Sequence, residues 1–154
     1  MRNVLLVTSP LTEAKNATTY AFERAKAIGG GLVALAVLDP EVSQRVASTL
    51  TNVGFVGEKV SDSIVDTLAR EQRTQAEALL REVGELAAKA GVPYTPLIEE
   101  GDPSEVCARV VETYDVQCAV LVAEKRSWLT RLLARGAAVK LPALAGCEVK
   151  VMED

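Results

Sequence analysis

The sequence contains no histidine. That removes the commonest general base, the usual partner of a catalytic serine or cysteine, and the commonest metal ligand. Aromatic residues make up only 4% of the chain, too few for the stacking platforms on which single-strand-binding proteins rely. There is no basic excess either. The net charge is −4, so nothing is available to neutralise a nucleic-acid backbone, and nucleic acid is not an expected partner. No apolar run approaches the length of a membrane span. The opening MRNVLLVTSP is too short for a signal-peptide core, so the expected location is cytoplasmic, with no membrane partner. The cysteines, Cys107, Cys118 and Cys147, form no C-x-x-C pair, which suggests small buried thiols in a reducing compartment.

What is present suits one domain over residues 1–154: apolar residues are 49% and charged residues 25% of the chain. Val4 to Val7 is a continuous apolar run, the pattern of a strand covered on both faces. Thr12 is a candidate N-cap. Ala14, Ala17, Ala21, Ala25 and Ile28 then recur at helical spacing, a small-residue stripe that lets a helix lie close to a sheet. Gly29, Gly30 and Gly31 follow a helix and open a strand. A phosphate cradle has the opposite order, so they read as a stop signal.

Leu32 to Leu38 is a second buried strand, closed by Asp39 and Pro40. Residues 41–58 read as a long excursion. From Lys59 to Ala90 the pattern is helical, with Val60, Ile64 and Leu68 on one stripe and Leu79, Val83, Leu86 and Ala90 on another. The polar run Glu71 to Thr74 admits a kink between them. Tyr94 to Ile98 is a third strand. Pro96 inside it lacks a ladder donor and places it at a sheet edge. In Gly101-Asp102-Pro103-Ser104-Glu105, Asp102 is an N-cap, Pro103 suits the first helical position and Glu105 has capping-box spacing. Val106, Val110 and Tyr114 mark the buried face of the helix it starts. Cys118 to Val122 is a fourth strand and Ser127 to Arg135 a short helix ended by Gly136. Val149 to Met152 is the last strand. Alternating strands and helices predict an α/β fold, a mostly parallel sheet with two helices on each face.

The apolar first strand and its turn, LVALAVLDP at 32–40, the long second helix, GDPSE at 101–105 and the strand-loop-helix of 118–136 together resemble the universal stress protein family over essentially the whole chain. The resemblance implies a single-domain open parallel five-stranded sheet of order 3-2-1-4-5, adenine nucleotide alpha hydrolase-like. It also implies a homodimer paired through the last strand, residues 148–152. Nucleotide-binding members carry an aspartate at the end of the first strand and a G-x2-G-x9-G-[ST] motif after the fourth. The aspartate contacts the adenosine, and backbone amides close around the phosphates where glycine leaves no Cβ in the way.

On this chain the aspartate position falls at Ser9, and the motif falls at Ala123, Arg126, Gly136 and Ala137. Only Gly136 matches. Val37 is compatible with a backbone contact to adenine. Arg126 either fills the phosphate space or binds an anion itself, beside Lys125, Arg131 and Arg135. Trp128 covers the pocket, packs on the short helix, or stacks on a base. The expectation is therefore a non-catalytic regulatory stress-response protein, without ATP bound in the usual way and without a cofactor, acting through an as yet unidentified protein partner. The alternative is a nucleotide- or anion-binding module in which Lys125 and Arg126 replace the glycine loop. An enzyme is the least supported reading. No carboxylate pair or Ser-Lys pair is legible, and Asp39, Glu99 and Glu100 have no spacing that selects a metal.

Overall fold

The computed structural model describes residues 2–8, 15–38, 54, 58–122 and 147–152. In chain order the elements are β1 (Asn3–Thr8), α1 (Lys15–Ala27), β2 (Gly31–Leu38), α2 (Glu58–Ala90), β3 (Tyr94–Glu100), α3 (Pro103–Thr113), β4 (Val116–Val122) and β5 (Glu148–Met152). The five strands form one sheet in the order β3-β2-β1-β4-β5, and every pairing is parallel. β3 is an edge, as Pro96 requires. The interior strands are the continuous apolar runs: every residue of β2 is buried, and so is β1 from Val4 onward.

Strand alternation sends the two sets of side chains into two cores. Val4, Leu6, Leu32, Ala34 and Cys118 face α1 and α2, whereas Leu5, Val7, Val33, Leu35 and Ala119 face α3. Ala17, Ala21 and Ala25 are fully buried, so α1 lies flat on the sheet as its small stripe predicts. The described helices number three, two on one face and one on the other. The expected fourth helix, at 127–135, and the expected cap Thr12 lie outside the described residues.

The helix ends follow from glycine chemistry. Gly29 has φ 66°, its N–H donates to Lys26 O, and Gly30 N–H donates to Ala25 O, the paired bonds of a Schellman stop. Gly30 is also required by space, because a Cβ there would collide with the Arg2 carbonyl oxygen. Gly91 (φ 71°) ends α2 the same way, with Val92 N–H on Ala87 O. At the start of α3, Asp102 O accepts from Val106 N–H and Asp102 Oδ1 from Glu105 N–H, which confirms Asp102 as the N-cap.

Two expectations for α2 need correction. The helix runs unbroken from Glu58 to Ala90, as the 59–90 pattern predicts, so the polar run at 71–74 is no break. It marks the place where the helix passes beyond the sheet: none of residues 62–75 is buried, while Ala76, Leu80, Val83 and Ala87 are. The buried stripe is consequently that set. Leu86, read as core, is 45% exposed, because it lies off the line of contact with β2 and β3.

Candidate functional site

In open α/β sheets, ligands bind beyond the carboxyl ends of the strands where the strand order reverses. Here that point lies between β1 and β4, with β2 on its flank. β1 ends on Thr8, which is buried and donates its hydroxyl to Leu35 O at 3.1 Å. This bond ties the last residue of β1 to its neighbouring strand and leaves no side-chain charge at that position. Val37 turns its side chain into the core beneath α3 and is 5% exposed. Any contact it makes with a ligand is therefore through backbone, as expected from sequence. Beyond it, Gly101 N–H donates to Leu38 O at 3.2 Å. Gly101 has φ 136°, a conformation open chiefly to glycine, and it delivers the chain to the Asp102 cap at the same end of the sheet.

Of the candidate residues, the structure thus places Val37. Ser9, Ala123, Lys125, Arg126, Gly136 and Ala137 lie outside the described residues, as do Trp128, Arg131 and Arg135.

The carboxylates at the end of β3 do not converge. Glu99 faces Arg109 of α3 at 3.6 Å, whereas Glu100 faces Arg73 of α2 at 3.0 Å, on the opposite side of the sheet. Among the described residues, no three His, Cys, Asp or Glu side chains gather as a metal site would need.

The thiols are not prepared as nucleophiles, since burial disfavours the thiolate. It pushes Cys107 up to about 12, helped by Asp102. It pushes half-buried Cys147 up to about 11. Cys118 is raised as well, burial outweighing the hydrogen bond from Arg24. Arg24 was not singled out from sequence. Its Nη2 lies 2.6 Å from Glu148 Oε2, joining α1 to β5. The two are 124 positions apart, so no local pattern announces the pair.

A groove of about 720 Å³ lies elsewhere, between the second half of α2 and β3. Leu80, Gly84, Ala88, Tyr94, Pro96 and Ile98 form its floor, with Glu77, Arg81 and Glu85 on its rim. β2 separates it from the reversal point, so it is not the site the fold predicts.

The universal stress protein family model matches residues 1–151. The chain belongs to the universal stress protein family. A search of curated proteins finds no match. Solved structures share the fold. The UspA universal stress protein of Lactobacillus plantarum superposes with TM-score 0.69 at 18% identity, covering 98% of this chain and 97% of that one. A universal stress protein in complex with cAMP gives 0.59 at 15% identity, covering 99% and 96%. An Arabidopsis thaliana family member with AMP bound gives 0.58 at 15% identity, covering 99% and 92%. At these identities the likeness establishes the fold. Membership of the family supports a role in stress response. No described helix is long and apolar enough to cross a membrane.

Proposed function

We propose that this universal stress protein is a non-catalytic, cytoplasmic regulator that does not hold ATP in the manner of the nucleotide-binding members. It would act as a dimer joined through β5 and through contacts with protein partners. The observation that carries this reading is Arg126, which stands where the phosphate loop needs a glycine. Ser9 supplies no carboxylate for the nucleoside, Ala123 adds a Cβ, and Ala137 lacks the terminal hydroxyl. Each lost polar contact is worth on the order of 1–3 kcal/mol. Losing three would weaken a micromolar site by roughly 3 kcal/mol or more, over a hundredfold.

A second reading has support from the relatives that hold cAMP and AMP, ligands with a single phosphate. A single phosphate needs fewer backbone amides than a triphosphate, and one guanidinium can pair with it. In that reading Lys125 and Arg126 replace the glycine loop. Titration calorimetry with ATP and Mg²⁺, AMP and cAMP separates the two. The regulator reading expects no heat at millimolar nucleotide. Micromolar binding of any of the three, abolished by Arg126→Ala, would establish the anion site instead.

A further inference from the structure

We infer that α1 acts as a clamp on the edge strand β5, and that Arg24 and Tyr20 are its positioning residues. β5 pairs with β4 along its length but has little side-chain anchorage of its own. It is five residues long, and none of them is buried. Val149 and Met152 pack only partly against the two cores, and Val151 is 39% exposed. A strand of that kind frays easily.

Two contacts from one helix offset this. Arg24 Nη2 reaches Glu148 Oε2 at 2.6 Å, and Lys150 Nζ stands 5.9 Å from the centre of the Tyr20 ring, within cation–π range. Arg24 and Tyr20 are four residues apart, so they project from one face of α1. Glu148 and Lys150 are two apart, so they project from one face of β5. Helix and strand periodicities thus coincide over this stretch. The Arg24 stem is packed as well: its Nε is buried, without a hydrogen-bond partner among the described residues, and the Cys118 thiol is its neighbour beneath. The cation that grips β5 thus also sits over β4.

The clamp has a consequence for assembly, which rests on the β5 dimer proposed above. Lys and Glu on an edge strand ordinarily discourage pairing with another chain. Here both charges are drawn back onto their own α1. The strand's charges are occupied, so a second copy of this chain meets an edge whose Lys and Glu are already engaged.

Hydrogen exchange and sedimentation test the two parts separately. In the full chain, Arg24→Ala combined with Tyr20→Leu is expected to speed amide exchange at residues 148–152 severalfold while β1 and β2 exchange unchanged. The charge-reversed pair Arg24→Glu with Glu148→Arg is expected to slow it again. The unsubstituted protein should show the same acceleration between low salt and 1 M salt, where screening acts within about 3 Å. Exchange at 148–152 that responds neither to the substitutions nor to salt overturns the clamp. A monomer in sedimentation with exchange still responsive removes the dimer reading and supports the clamp. A dimer weakened severalfold by Arg24→Ala and recovered by the reversed pair supports both.

Discussion

The sheet has two edges, and they are finished differently. β3 is seven residues long and lies under the second half of α2. Tyr94 donates its hydroxyl to Leu80 O and seats its ring against Gly84, where a Cβ would come within 2.9 Å of the ring. The bonds Leu32 N–H to Pro93 O and Gly101 N–H to Leu38 O show which residues of β3 turn towards β2. In a parallel ladder these alternate, so Tyr94, Pro96 and Ile98 turn their backbone groups outward. Proline's missing N–H therefore costs β3 nothing and interrupts the outer row of donors. β5 is shorter, contains no proline, and is held by ionic and cation–π contacts from α1. One edge is closed by covalent chemistry and a seated aromatic ring. The other is held by contacts that salt or a single substitution can loosen. The open edge is the one suited to pairing.

Breaking the closed edge should have the largest effect. Tyr94→Ala removes a half-buried ring and empties the space over Gly84. By analogy with large-to-small core changes it is expected to destabilise by roughly 2–3 kcal/mol. Urea denaturation at unchanged m-value measures this, and a loss within about 0.5 kcal/mol would mean that α2 does not secure β3 through Tyr94.

Both edges bear on what could be read beforehand. The edge place of the proline-bearing 94–98 and the covered runs at Val4–Val7 and Leu32–Leu38 were legible from the residues themselves, whereas the full order of strands came from the family resemblance. The Gly29 stop and the Asp102 cap were legible because each rests on local backbone chemistry. The extent of α2 was legible too, but polar residues at 71–74 look alike whether a helix breaks or merely leaves its buried contacts behind. The clamp was not legible at all: Arg24 and Glu148 are ordinary surface charges until the fold brings them together. At the site, the side chain of Val37 is buried, and the reading of Ser9, Ala123, Arg126 and Ala137 rests on the sequence alone.

The open edge should respond in assembly instead of stability. Val151 is exposed on β5, on the face away from the clamp. Val151→Lys adds a charge there, and in a two-fold pairing of β5 each new lysine lies near its own copy. Like charges at an interface are costly, so the dimer proposed above should weaken at least roughly tenfold. Unfolding of the dissociated chain should change by no more than about 0.5 kcal/mol, as for an ordinary surface substitution. Analytical ultracentrifugation across a concentration series decides this. An undiminished dimer would place the interface somewhere other than β5.

The smallest effect is a titration in which the two edges differ. Burial raises the Tyr94 phenol at β3 from 10.0 to about 12 and the Cys147 thiol beside β5 from 9.0 to about 11. Both groups lose a proton less readily folded than unfolded. Between the two values the native state therefore binds more protons than the unfolded state, and stability falls as pH rises. The Cys147 contribution is complete below about pH 9 and is lost between pH 9 and 11. The Tyr94 contribution is complete below about pH 10 and is lost between pH 10 and 12. Cys107, on the buried face of α3 and raised from 9.0 to about 12, adds a loss that begins with Cys147 and ends with Tyr94. Cys118 is raised by burial as well, so in a background of Cys107→Ala with Cys118→Ala, stability should be flat to about pH 9 and then decline. Adding Cys147→Ala should move the onset to about pH 10, where only the tyrosine remains of these groups. Denaturation midpoints measured from pH 7 to 11 check the order, and a decline that still begins at pH 9 in the variant lacking all three thiols would show that the β5 thiol is not the first of the two edges to titrate.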